Sequence, residues 1–121
     1  MREVVSALLS EAPDAEPVFL EQSGWLEQPS EELLKSLYAK YRRRFRVVRA
    51  KLVKLLGEPA YESATDETWF GNWYPEALLA AAWFVQGKYL CLAVEHADKE
   101  TPVALVLSCL TEEELAEQVA D

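Results

Sequence analysis

The longest regular pattern in the chain lies between Ser30 and Gly57. Leu34, Tyr38, Tyr41, Phe45, Val48, Leu52 and Leu55 recur at alternating steps of four and three residues, the spacing that lines apolar side chains along one side of an α-helix. Leu33, Leu37, Val53 and Leu56 widen that stripe. Pro29-Ser30-Glu31-Glu32 supplies a capping hydroxyl and first-turn acids, and Gly57-Glu58-Pro59 supplies a stop. The pattern therefore predicts one helix over 30–56, about seven turns long. A stripe of that length packs first along a sheet or second helix of the same chain, and only secondarily makes a coiled-coil dimer.

On either side the periods change. Val4, Val5, Leu8 and Leu9 predict a short amphipathic helix over 1–11, ended by Pro13 and Pro17. Val18-Phe19-Leu20 and Gly24-Trp25-Leu26 read as a loop or short strand pinned by its aromatic residues, and Tyr61 to Glu67 reads as a polar loop. Residues 75–86 fit two templates. Pro75-Glu76-Ala77 with Leu78-Leu79-Ala80-Ala81-Ala82 suits a helix, while Trp83 to Leu90 suits a hairpin turning at Gln86-Gly87; the strand from Leu79 to Val85 is preferred. Tyr89 to Glu95 and Val103 to Cys109 are β-rich and should pair antiparallel, with Pro102 at the strand start. Both alternating faces of these strands are apolar, so the sheet should be covered on both sides, by helices or by a second subunit. Thr111-Glu112-Glu113-Glu114 reads as a capping box opening a helix over 111–119.

The resulting expectation is a single α+β domain over 1–121. An N-terminal helix and loop occupy 1–28, and the long basic amphipathic helix 30–56 packs on a three- to four-stranded antiparallel meander within 68–109. A short C-terminal helix closes the chain at 111–119. The length suits one domain. Half the residues are apolar, with only four Gly and six Pro, a globular composition rather than a disordered one.

Charge changes this picture more than composition does. There are 21 acids and 12 bases, for a net charge of −9. Nine of the bases sit in the long helix, at Lys35, Lys40, Arg42, Arg43, Arg44, Arg46, Arg49, Lys51 and Lys54, and no acid lies between Leu33 and Gly57. That segment carries +9, and the remainder, three bases against 21 acids, carries −18. The bland account of the basic helix is a solvated face whose long stems cover apolar surface and whose neighbours are acidic. The functional accounts are a docking face for an acidic partner or a nucleic-acid contact through Arg42-Arg43-Arg44. Nucleic acid is disfavoured, because single-strand binding uses exposed aromatics among the bases, and Tyr38, Tyr41 and Phe45 fall on the core stripe.

Catalytic motifs are missing. The chain has no G-x-S-x-G, H-E-x-x-H, G-x-x-x-x-G-K or G-x-G-x-x-G, so no enzyme, no cofactor and no metal is expected. Cys91 and Cys109 lie in apolar runs and read as buried thiols, with a cross-strand disulfide as the alternative. The single His96 cannot form a zinc site, and its odd spacing from Cys91 places the two on opposite faces of a strand. No apolar run approaches the roughly 18 residues of a membrane span, and Met1-Arg2-Glu3-Val4 lacks the start of a secretory signal. The expectation is a cytoplasmic protein with no membrane role.

The order of helix, Leu56-Gly57-Glu58-Pro59, aromatic-rich strands, a hairpin through Glu95-His96-Ala97-Asp98-Lys99-Glu100-Thr101-Pro102 and an acidic closing helix resembles the small acidic immunity proteins of bacterial polymorphic and contact-dependent toxin systems. The resemblance covers roughly residues 30–110. It implies a non-catalytic inhibitor that binds a toxin domain, with no shared site residues to carry over. A second, looser resemblance is to acidic type III secretion chaperones, which place a helix between sheet strands where this chain reads as a continuous meander.

These readings converge on a small acidic binding protein that inhibits or masks a basic protein partner. A surface at −18 outside one helix accelerates encounter with a basic partner and disfavours acidic ones. Candidate contacts are Trp69 and Trp73, within the cluster Trp69-Phe70-Gly71-Asn72-Trp73-Tyr74, and Arg42, Arg43 and Arg46 on the helix. The alternative is a structural module, such as a homodimer in which the basic helix of one subunit meets the acidic surface of another.

Overall fold

The computed structural model describes residues 1–12, 15–62, 77–96 and 100–113. Among the described residues, two helices and five strands follow one another: α1 (Arg2–Glu11), β1 (Val18–Gln22), α2 (Glu31–Leu56), β2 (Tyr61–Glu62), β3 (Ala77–Val85), β4 (Lys88–Glu95) and β5 (Ala104–Thr111). The strands form one antiparallel sheet in the order β1-β5-β4-β3-β2. The fold is α+β, with a long helix on a meander, as the periodicity predicts.

Two points differ from that expectation. The sheet has five strands, because β1 adds to the outer edge of β5 and the pair Tyr61–Glu62 adds to β3. A two-residue strand is too short for a period to reveal, so it reads as loop. The strand expected from Leu79 to Val85 is present and begins at Ala77, its helix-like alanines serving as the small side chains of a packed sheet. Thr111 is the last residue of β5, and beyond Glu113 the helix expected over 111–119 lies outside the described residues.

The topology accounts for the length of α2. It joins β1 to β2, strands at opposite edges of the sheet, and four strand spacings at roughly 4.8 Å make about 19 Å to cross. A helix of 26 residues, running diagonally, has about 39 Å to do so. Its N-terminus is capped by the Ser30 hydroxyl, which accepts from the Leu33 amide at 3.1 Å. Its C-terminus stops at Gly57, whose φ of 90° is open to glycine.

The predicted stripe packs within the chain. Tyr41, Phe45 and Leu52 are buried, flanked by Leu37, Tyr38, Val48 and Leu55, against Ala81, Trp83, Leu90, Leu92, Val94, Leu105, Leu107 and Cys109 on one face of the sheet; Val5, Leu8 and Leu9 of α1 close the same core. Each large side chain buried there contributes roughly 1.5–3 kcal/mol. The second face carries small residues, Ala80, Ala82, Cys91 and Ala93, bordered by Tyr61, Tyr89 and Leu110. These are buried too, so the sheet is covered on both sides.

β3 and β4 turn through Gln86 and Gly87, with φ of 54° and 76°. Two successive positive φ values are those of a type I′ hairpin, the two-residue turn whose twist suits flanking strands.

Candidate interaction surface

On α2 the basic residues divide according to which side of the helix they occupy. One flank faces β1, where Glu21 receives Arg44 at 2.8 Å and Lys40 at 3.9 Å. The opposite flank faces β2, where Arg49 pairs with Glu62 and, at 3.7 Å, with Glu58. The acidic neighbours of the bland account therefore exist and, among the described residues, lie where the helix passes an edge strand. Lys35, Arg42, Arg43, Arg46, Lys51 and Lys54 are exposed and form no ion pair among the described residues.

Arg42, Arg43 and Arg46 do not converge on one site. Arg42 lines a small cavity of about 140 Å³ with Tyr38, Leu79 and Val94, while Arg43 and Arg46 are exposed further round the helix. Beside that cavity the Tyr38 hydroxyl is hydrogen-bonded to His96 Nδ1 at 2.6 Å, and His96 Nε2 is buried with no partner among the described residues. Trp69 and Trp73, with the rest of their aromatic cluster, lie outside the described residues.

Trp25 is the aromatic that sequence reasoning misassigned. It does not pin its loop; it is 76% exposed. The loop is held by its backbone instead. The Ser23 amide donates to the Val103 carbonyl and the Leu26 amide to the Glu100 carbonyl, each at 2.9 Å. The Ser23 hydroxyl also accepts from the Val103 amide at 2.9 Å. Both sides of Gly24-Trp25 are thus fixed to the segment entering β5, and the indole projects from a rigid base.

The exposed acids Glu27 and Glu100 belong to the same two hydrogen-bonded segments, and Glu31 and Glu32 follow in the first turn of α2. A large aromatic face among carboxylates suits a cation, through the ring's negative face and through charge. The signal legible in the sequence was Gly24-Trp25 between polar residues and Glu27.

The thiols offer no nucleophile to this surface. Cys91 and Cys109 are both buried and neither forms a disulfide, and burial pushes the Cys91 thiol far above its ordinary value. Among the described residues, no three His, Cys, Asp or Glu side chains converge as a metal ion requires, and no helix is long and apolar enough to cross a membrane. No protein-family model, curated protein or solved structure matches the chain.

Proposed function

We propose that this chain is a non-catalytic binding protein that masks a basic protein partner, in the manner of the immunity proteins its layout resembles. The observation that carries the reading is Trp25, three-quarters exposed on a loop that also carries the exposed Glu27 and whose backbone is hydrogen-bonded to Val103 and to Glu100. Tryptophan is enriched among the few residues that dominate binding energy, and a pre-ordered anchor loses little entropy on docking. The acidic remainder of the chain supplies long-range attraction, and the indole supplies the contact that charge alone cannot make specific.

Capture from cells of origin tests the reading. The tagged chain is used as bait at about 50 mM salt, where charge attraction reaches further than at physiological strength. The expected result is one basic protein, retained at equal stoichiometry and released as salt rises. Recovery of acidic proteins only, or of nothing, would count against masking.

A further inference from the structure

The flank of α2 that faces β1 carries a second seam beside the core stripe. Lys40, Arg44, Val47, Lys51 and Lys54 recur at steps of four, three, four and three, so they lie in one row along the helix. Between this row and the sheet runs a groove of about 190 Å³, with Leu20, Val48 and Leu105 at its floor and Arg44 and Lys51 at its rim. Lys51 also lines a second hollow of about 240 Å³, where Lys54 and Leu55 meet Met1 and Arg2. The groove is open to an apolar side chain, because Val47 is 50% exposed in the middle of a helix otherwise cationic on this side.

The charge along this groove has one sign. Among the described residues, Glu21 is the only acid lining either hollow, and Arg44 and Lys40 already engage it. Arg2, Lys51 and Lys54 form no ion pair among the described residues. The groove also borders an edge strand: β1 pairs with β5 on one side, and the sheet order places no described strand on the other. Phe19, on the far face of that edge, is 54% exposed. An extended segment lying along β1 would present alternate side chains to Val47 and the cations on one face and to Phe19 on the other.

From these features we infer that the α2–β1 groove binds an extended acidic segment of a protein partner, one in which carboxylates alternate with aliphatic side chains. Carboxylates meet Arg44, Lys51 and Lys54 on the face toward α2, and the aliphatic side chains, on the opposite face of the extended segment, meet Phe19. Charge complementarity selects this occupant over a second copy of the chain, since like-charged α2 flanks would face each other across a symmetric β1–β1 edge. The site is distinct from the acidic surface around Trp25 and does not depend on the masking role.

The test uses fluorescein-labelled nine-residue peptides alternating Glu with Leu, and two controls, one with Lys replacing Glu and one with Ser replacing Leu. Anisotropy is read against the full chain, and amide shifts of the wild-type protein map the contact. The acidic-aliphatic peptide is expected to bind at least about tenfold more tightly than either control, with shifts concentrated at Phe19, Leu20, Val47 and Lys51. Lys51→Glu should weaken binding about tenfold or more, whereas Lys35→Glu, the same charge change on the other flank, should change it less than about threefold. Equal binding of the Ser control would reduce the groove to a diffuse cationic field and overturn the proposal. So would shifts mapping elsewhere, absence of binding, an oligonucleotide outcompeting the peptide at the same amides, or self-association that Lys51→Glu abolishes.

Discussion

The indole N–H of Trp83 donates to the carbonyl of Gly57 at 2.8 Å. This bond joins β3 to the end of the long helix. It satisfies one of the carbonyls that a helix C-terminus leaves without an intrahelical partner, and the next contact along the chain, from the Ala60 amide to the Ala82 carbonyl at 2.8 Å, starts β2. Trp83→Phe keeps most of the buried ring and removes the donor, so it should cost about 1 kcal/mol. Trp83→Ala also leaves a cavity and should cost about 3–5 kcal/mol. Urea unfolding midpoints of the two variants check both values, and a Trp83→Phe variant as stable as wild type would show that the hydrogen bond contributes nothing.

The β3–β4 turn places a non-glycine residue, Gln86, at φ 54°. A side chain with a Cβ holds that conformation at a cost of roughly 1 kcal/mol, and asparagine tolerates it better. Gln86→Asn should therefore stabilise the chain by roughly 0.5–1 kcal/mol, read as a higher thermal midpoint. An unchanged or lower midpoint would mean that the turn is not strained at Gln86.

The two cysteines flank each other without facing each other. Register pairs Cys91 with Ser108 and Leu90 with Cys109, so the thiols point to opposite faces of adjacent strands and cannot join. Native alkylation should be at least about 100-fold slower than in denaturant, because it waits for the strands to open. The raised Cys91 value also fixes a sign. Above about pH 8.5 the unfolded thiol ionises while the folded one keeps its proton, so stability falls as pH rises beyond that point. Burial of Tyr41 and Tyr89 acts in the same direction at higher pH. Cys91→Ala should flatten the first part of that decline, measured as unfolding free energy against pH.

Glu95, at the end of β4, has its carboxyl pushed above the ordinary range by partial burial. As pH rises through the unfolded carboxyl's value, the unfolded chain releases a proton that the folded chain still holds, so stability falls until the folded carboxyl also ionises. Glu95→Gln removes that penalty. The variant should be more stable than wild type at about pH 7 and no more stable near pH 3.5, where both side chains are neutral. Urea unfolding at the two pH values decides the matter, and an equal gain at both would assign the effect to packing instead.

What could be read before folding follows from how many residues carry each signal. The seven-position stripe from Leu34 to Leu55, with Ser30 and Gly57 as punctuation, located α2 almost to the residue, and Gln86-Gly87 located a turn. Tyr61–Glu62 escaped because its identity as a strand comes from Ala81 and Ala82, some 20 residues away. β1 likewise owes its pairing to β5, at the other end of the sequence. The basic helix was legible as a charge segment, but its division into paired and unpaired cations depends on which edge strand each flank passes. Trp25 was visible as a residue and not as a surface, since the bonds from Ser23 and Leu26 to Val103 and Glu100 decide that it points outward.

The masking account stands most directly on Trp25. Once the basic partner is captured and purified, titration calorimetry with wild type and with Trp25→Ala measures what the indole contributes. The account predicts a loss of at least about 2 kcal/mol in binding free energy, some 30-fold in Kd, with the unfolding midpoint unchanged. It also predicts a Kd that weakens steeply between about 50 and 500 mM salt. Equal affinity of Trp25→Ala and wild type would contradict it.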